Sequence, residues 1–200
     1  MEKTELMAQI KEEVISLTSS PLCQERIKNG VFPVIGEGDH NASIMFIGEA
    51  PGRNEAATGR PFCGAAGRIL NELLESAGIE RSSVYITNIV KDRPPENRDP
   101  LPEEIEEYAP FLDRQIAIIQ PTILATLGRF SMEYVMSRYG LAEKLAPISS
   151  LHGKVFKGVA PHGPVQVIPL YHPAVVIYGA SKKDTLKEDF CVLKKLADIR

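Results

Sequence analysis

Nowhere in this 200-residue chain is there an apolar run long enough to cross a bilayer as a helix, so no membrane-spanning helix is expected. Cysteine is scarce and scattered. Cys23, Cys63 and Cys191 form no CxxC pair, which argues against a disulfide framework and against a zinc site. No internal repeat and no low-complexity tract is present. A strong charge excess is also missing: 23 Lys and Arg against 26 Asp and Glu leave a net charge of -3. That argues against wrapping nucleic acid over the whole surface and leaves room for a local basic patch on an acidic body. The opening MEKTELMAQIKEEV reads as a charged amphipathic helix rather than a signal peptide, so the expected location is cytoplasmic, with no membrane partner. At 44% hydrophobic residues, 1–200 suits one globular domain that buries its core without staples. Residues 1–20 hold an N-terminal packing helix, and the chain is expected to be a monomer.

What is present is organised around Ile44 to Gly67, IMFIGEAPGRNEAATGRPFCGAAG. Ile44 to Ile47 reads as a buried strand that stops in Gly-Glu-Ala-Pro-Gly, which leaves the carboxylate of Glu49 at a strand exit. Gly59, Gly64 and Gly67 extend a loop that no hydrophobic period explains. It carries Phe62 and gives way to a helix near Ala65. A long, glycine-punctuated loop after a strand suits binding.

Elsewhere, Leu6, Ile10, Val14 and Leu17 form a helical stripe, and 18–42 reads as irregular. Ile69, Leu70, Leu73, Leu74 and Ala77 line a helix that Gly78 ends. Ser83 to Ile89 is a second strand, ending near Asn88. KDRPPENRDPLPEE, with four prolines, excludes regular structure and gathers Lys91, Arg93 and Arg98. Pro102 opens a helix with Glu103 and Glu104 in its first turn. Thr122 to Leu127 is a third strand, followed by Gly128-Arg129 and a helix to about Tyr139. Lys154 and Lys157 flank an edge strand in the loop-rich 140–164. A fourth strand, Val165 to Leu170, has Pro169 favouring an edge or a strand end, and runs into Tyr171-His172-Pro173-Ala174. Leu186, Phe190, Leu193 and Ala197 face the core from a last helix.

This alternation predicts an α/β fold, a three-layer α/β/α sandwich with a four-stranded parallel central sheet. In such sheets ligands bind beyond the carboxyl ends of the strands. Glu49, Asn88, Gly128 and His172 each lie at that end of a different strand and converge on one rim. Phe62 suits stacking on a flat heterocycle, while Asn88 offers an acceptor and two donors to its edge. His172 suits donation to an oxygen where negative charge develops, and Glu49 suits orienting a water or stabilising a cation. Together these parts describe cleavage of a bond between sugar and base.

Four motifs in order, GEAPGRNE with GRPFCGAAG, YITNIVKDRPPENRDPLPEE, ATLGR and YHPA, make the chain resemble the uracil-DNA glycosylase superfamily, specifically the family 4 enzymes of bacteria and archaea, from about Leu22 to Tyr178. The resemblance implies a monofunctional glycosylase that flips uracil out of DNA and excises it hydrolytically, leaving an abasic site. Its partner would be DNA containing uracil or another deaminated base. It implies Glu49 and His172 as catalytic residues and Asn88, Phe62 and Glu55 as base-binding ones, with Glu55 closing the pocket against the methyl of thymine. Val176 and Tyr178 would belong to a wedge filling the vacated stack, and Lys91, Arg93, Arg98, Lys182 and Lys183 would contact phosphates. Family 4 enzymes carry an iron–sulfur cluster on four cysteines. The positions that match those cysteines here hold Leu17, Ser20, Asp92 and Tyr108, none of which supplies a thiolate. No cluster and no metal is therefore expected, with a plug involving Tyr108 in its stead. Two other functions stay open: removal of hypoxanthine or xanthine, and a non-catalytic nucleotide- or DNA-binding module of the same fold.

Overall fold

A computed structural model describes residues 2–179 and 181–198, the side chains of residues 178 and 198 excepted. The chain opens with α1 (Lys3–Ser16), α2 (Pro21–Asn29), β1 (Glu37–Gly38), β2 (Ile44–Gly48), α3 (Arg53–Thr58) and α4 (Ala65–Ser76). It continues through β3 (Tyr85–Asn88), α5 (Pro102–Ile119), β4 (Ile123–Leu127) and α6 (Arg129–Arg138). The last part holds α7 (Ile148–Leu151), β5 (Phe156–Ala160), β6 (Gly163–Leu170), α8 (Val175–Tyr178) and α9 (Lys182–Asp198).

The sheet runs in the order β1-β3-β2-β4-β6-β5. Its middle four strands are parallel, as the sequence predicts. The sheet as a whole has six strands rather than four, because β1 and β5 add antiparallel edges. β1 is only two residues long, too short to leave a periodic pattern. β6 lies inside the sheet, yet Pro169 sits past Val167, the last residue opposite β5, where a missing donor is harmless.

Period-two alternation divides the core between two faces. Met45 and Ile47 of β2 point to the side covered by α1, α5 and α6, with Ile10, Leu112, Ile116 and Val135. Ile44 and Phe46 point to the side covered by α4 and α9, where the Phe46 and Phe190 rings stack with centroids 5.7 Å apart. The chain leaves β2 for β3 across α4 and returns past β2 to β4 across α5 on the other face. The winding therefore reverses beside β2, which opens a crevice at the carboxyl ends of the strands. No helix among the described residues is long and apolar enough to cross a membrane.

Residues 18–42 are less irregular than expected, since α2 forms there. The Ser20 hydroxyl accepts the Leu22 N–H at 3.2 Å, Pro21 opens the helix, and Gly30 closes it at φ +60°. α2 delivers Arg26 into the interior, where its guanidinium donates to Val14 O and Ile15 O, each at 3.0 Å, and pairs with Asp92 at 3.4 Å. The other oxygen of Asp92 accepts the Tyr108 hydroxyl at 2.6 Å. Cys23 joins them, accepting from Arg26 at 3.3 Å and donating to Leu17 O. These contacts tie α1, α2, the segment after β3 and α5 together.

Removing Asp92 strands a buried guanidinium, so Asp92→Ala is expected to cost about 3–5 kcal/mol in denaturant unfolding. Tyr108→Phe, which deletes one hydrogen bond, should cost only about 1–2 kcal/mol. Equal losses would show that Asp92 is not the centre of this network.

Candidate active site

The β2 and β3 strands run in register from Met45 opposite Tyr85 to Gly48 opposite Asn88, so the two strands end side by side. A Cβ on residue 48 would lie 2.3 Å from Asn88 Oδ1 and 2.8 Å from the Phe62 ring. Glycine there lets the carboxamide and the aromatic plate close over the strand end. After β4, Gly128 holds φ +102°, and a Cβ on it would meet the Cβ of His172 at 3.3 Å. The strand end thus makes room for the residue that follows β6.

A cavity of about 500 Å³ opens at this rim, lined by Glu49, Glu55, Phe62, Asn88 and His172 among others. All five residues expected to catalyse or bind a base are therefore brought together. A larger depression of about 960 Å³, bordered by Glu37, Glu80 and Arg81, lies near β1 at the opposite, amino end of β3. It holds none of them.

Burial moves the two ionisable residues in opposite directions. Desolvation pushes the Glu49 carboxyl up to about 7, aided by the charge of Asp99 and opposed by Arg129. Desolvation pushes His172 down to about 4, against the pull of Glu55. At neutral pH the imidazole is uncharged. Its Nδ1 accepts the Ala174 N–H at 3.2 Å, which leaves the proton on Nε2 and makes that atom a donor. The Phe62 and His172 rings sit 5.6 Å apart at 33°. Phe62 holds φ +47°, a conformation that costs free energy in a residue other than glycine.

Asn88 Oδ1 is buried without a hydrogen-bond partner among the described residues. A buried acceptor left bare in a cavity fits a ligand that brings its own donor. Glu55 is held by the N–H groups of Cys63 at 3.0 Å and Gly64 at 2.9 Å, which fixes its carboxylate at the start of α4 and against the cavity.

The residues expected to touch DNA fare less uniformly. Lys91 is a correction: it is fully buried, and its amine faces oxygens from β3 and α5 rather than solvent. Arg98 is exposed, but its guanidinium forks onto Glu104 at 2.6 and 2.8 Å. Arg93 is half-buried and donates to Asn97 at 2.6 Å. Lys182 lies over the Tyr171 ring, 4.7 Å from its centroid, and Lys183 pairs with Glu72 at 2.6 Å. Val176 packs against the α4/α9 side of the core, whereas its neighbour Ile177 is 51% exposed. The Tyr178 side chain lies outside the described residues.

Sequence reasoning missed Asn97 and Asp99, which the proline-rich loop brings to the cavity wall, and Arg129, paired with Asp99 at 3.6 Å. The proline spacing marked the loop, but nothing in the sequence told which of its side chains turn inward. Among the described residues no group of three or more His, Cys, Asp or Glu side chains converges to hold a metal ion.

The fold and pocket define an α/β protein with a heterocycle-sized cavity at the carboxyl edge of a parallel sheet, flanked by an acid of raised pKa and a neutral imidazole. Comparison with known proteins gives the family. Residues 35–194 match the model of the Uracil DNA glycosylase superfamily, and the chain belongs to it. It is 46% identical over 192 residues to the type-4 uracil-DNA glycosylase of Sulfurisphaera tokodaii, covering 96% of this chain and 84% of that one. It is 40% identical over 195 residues to that of Archaeoglobus fulgidus, covering 98% and 94%. The protein of the same description from Thermotoga maritima is 38% identical over 181 residues, covering 90% and 88%.

A carboxyl whose pKa rises on folding makes the folded state hold a proton that the unfolded chain releases, so Glu49 subtracts stability as pH rises from about 4.5 to about 7. Glu49→Gln is accordingly expected to melt higher than the parent at pH 8, with the gain vanishing below about pH 4.5. A gain independent of pH would contradict the raised pKa.

Proposed function

We propose that this chain excises uracil from DNA by hydrolysing the bond between the base and its deoxyribose, acting as a monofunctional glycosylase. The observation that carries the reading is the bare, buried Asn88 Oδ1 in a cavity shared by Glu49 and a neutral His172. Its relatives described as type-4 uracil-DNA glycosylases support it over nearly the whole chain.

The base inside a duplex is unreachable, so the nucleotide must swing out and unstack. Phe62 would lie against the extruded ring. Asn88 would accept the N3–H of uracil and donate to O4, a pattern that cytosine, with an unprotonated N3 and an amino group, does not match. Glu55, anchored on two backbone N–H groups, would close the side where thymine carries its methyl group. As the bond from C1′ to N1 breaks, its electron pair moves onto the base, and Nε2–H of His172 would stabilise the charge gathering on O2. The sugar becomes cation-like. Ionised Glu49 would stabilise it and take a proton from the water whose oxygen joins C1′. The products are an abasic sugar and free uracil, which regains a proton. Ile177, exposed on the short helix after His172, is better placed than Val176 to fill the gap in the stack. Arg129, 59% exposed at the cavity mouth, adds a cation for the phosphates.

The reading includes the absence of an iron–sulfur cluster, and the residues present do not fit one. Leu17, Ser20, Asp92 and Tyr108 provide no thiolate, and the Asp92 carboxylate is already taken by Arg26 and Tyr108. It also includes a monomer acting in the cytoplasm.

The test is a panel of oligonucleotides, each carrying one uracil, hypoxanthine or xanthine, incubated with the protein and then cleaved with alkali. Uracil strands should be cut; cutting only of the purine lesions, or binding without cutting, would overturn the reading. Glu49→Gln should lose roughly 10²–10⁴-fold in turnover and His172→Ala roughly 10²–10³-fold. In the parent the rate should rise with pH through about 7 as Glu49 ionises. Stoichiometric iron in the purified protein would contradict the cluster-free reading alone.

A further inference from the structure

The buried Lys91 has a task that surface electrostatics does not describe. Its Nζ lies 2.7 Å from the backbone oxygen of Asn88, 2.8 Å from Thr87 Oγ1 and 2.6 Å from Gln115 Oε1. Thr87 spends its own proton on Ile35 O at 2.7 Å, so its hydroxyl must accept from the lysine. Gln115 donates through Nε2 to Ile35 O at 3.0 Å and to the Tyr85 hydroxyl at 3.3 Å, which turns its oxygen to the lysine. Among the described residues, every group bonded to the amine is thus an acceptor, and none is a carboxylate. Burying such a head is costly unless its contacts are met, and here all three are.

The clamp sits where β3 ends. Beyond Asn88 the backbone stays tied to the catalytic strand, because Ile89 N–H donates to Gly48 O at 3.0 Å and Val90 N–H to Glu49 O at 3.1 Å. The Lys91 backbone oxygen accepts Val34 N–H at 2.8 Å, while its side chain folds back onto the peptide that carries Asn88. The Asn88 oxygen facing the cavity has no hydrogen-bond partner among the described residues. Its aim is set by the backbone from which it projects and by the packing of Gly48 and Phe62 beside it.

We propose that Lys91 is a positioning residue for base recognition: by gripping the Asn88 carbonyl against Thr87 and Gln115, it fixes the direction of the Asn88 carboxamide. This rests on the reading of Asn88 as the residue that meets the base edge. Displacing such a group by even about an ångström costs rate without removing any group that touches the base.

A double-mutant cycle tests this, with single-turnover rates on uracil-containing DNA. Lys91→Met, similar in length and lacking donors, is expected to slow the parent roughly 10- to 100-fold, and to change the rate of Asn88→Ala by less than about twofold. Inhibition by free uracil should weaken by about the same factor as the rate, while inhibition by abasic-site DNA should stay unchanged. Loss by the same factor in both backgrounds, or parental rates for Lys91→Met, would overturn the proposal, as would equal weakening of both inhibitors. If Lys91→Met does not fold, Gln115→Leu, which removes one arm of the clamp, goes through the same cycle and is judged alike. A parent that releases no uracil would overturn the proposed activity and this inference together; a parent that does, with multiplicative losses, would overturn this inference alone.

Discussion

Desolvation at the carboxyl edge of the parallel strands is the constraint on which the rest of the molecule depends. One physical cause gives two opposite results: an acid that holds its proton up to about pH 7 and an imidazole that refuses one until about pH 4. Neither condition survives in water. The cavity must therefore be built deep enough to strip solvent from both groups, yet open enough to admit a base. Chain reversal beside β2 satisfies both demands, since it leaves a crevice between strand ends without interrupting the core on either face.

Small residues set the dimensions of that crevice. Gly48 lets Asn88 and Phe62 meet over the end of β2, and Gly128 lets the segment after β6 lie against the end of β4. The imidazole then depends on a backbone contact rather than on a carboxylate partner: the Ala174 N–H selects its tautomer. A charged orienting partner would favour the imidazolium, so an amide is the better companion for a ring meant to stay neutral. Around Asn88, too, the contacts involve no carboxylate: the acceptors that meet Lys91 are a backbone oxygen, a hydroxyl and a carboxamide.

Much of this was legible in the chain itself. Continuous apolar runs such as IMFI and ILATL marked the fully buried strands, and polar residues just past them marked the rim where Glu49, Asn88 and His172 meet. Less legible were elements whose signals are capping residues rather than periodicity. α2 shows Ser20, Pro21 and Gly30 in the expected positions, but its buried face includes Arg26, which breaks the apolar stripe a reader looks for. Lys91 was misread for a related reason: a lysine in a basic, proline-rich run looks solvated, and its burial follows from acceptors on β3 and α5 that are distant in sequence or hidden in the backbone. Val176 and Ile177 could not be separated by residue type, since only the pose of α8 decides which one faces outward.

The join between Arg26, Asp92 and Tyr108 has a consequence for how the protein comes into being. It is assembled wholly from encoded side chains, so this fastening needs no part that the chain itself does not carry. The N-terminal helices of this chain are consequently fastened by a link whose integrity is a matter of hydration and geometry, with the Cys23 thiol beside it as the member open to oxidation.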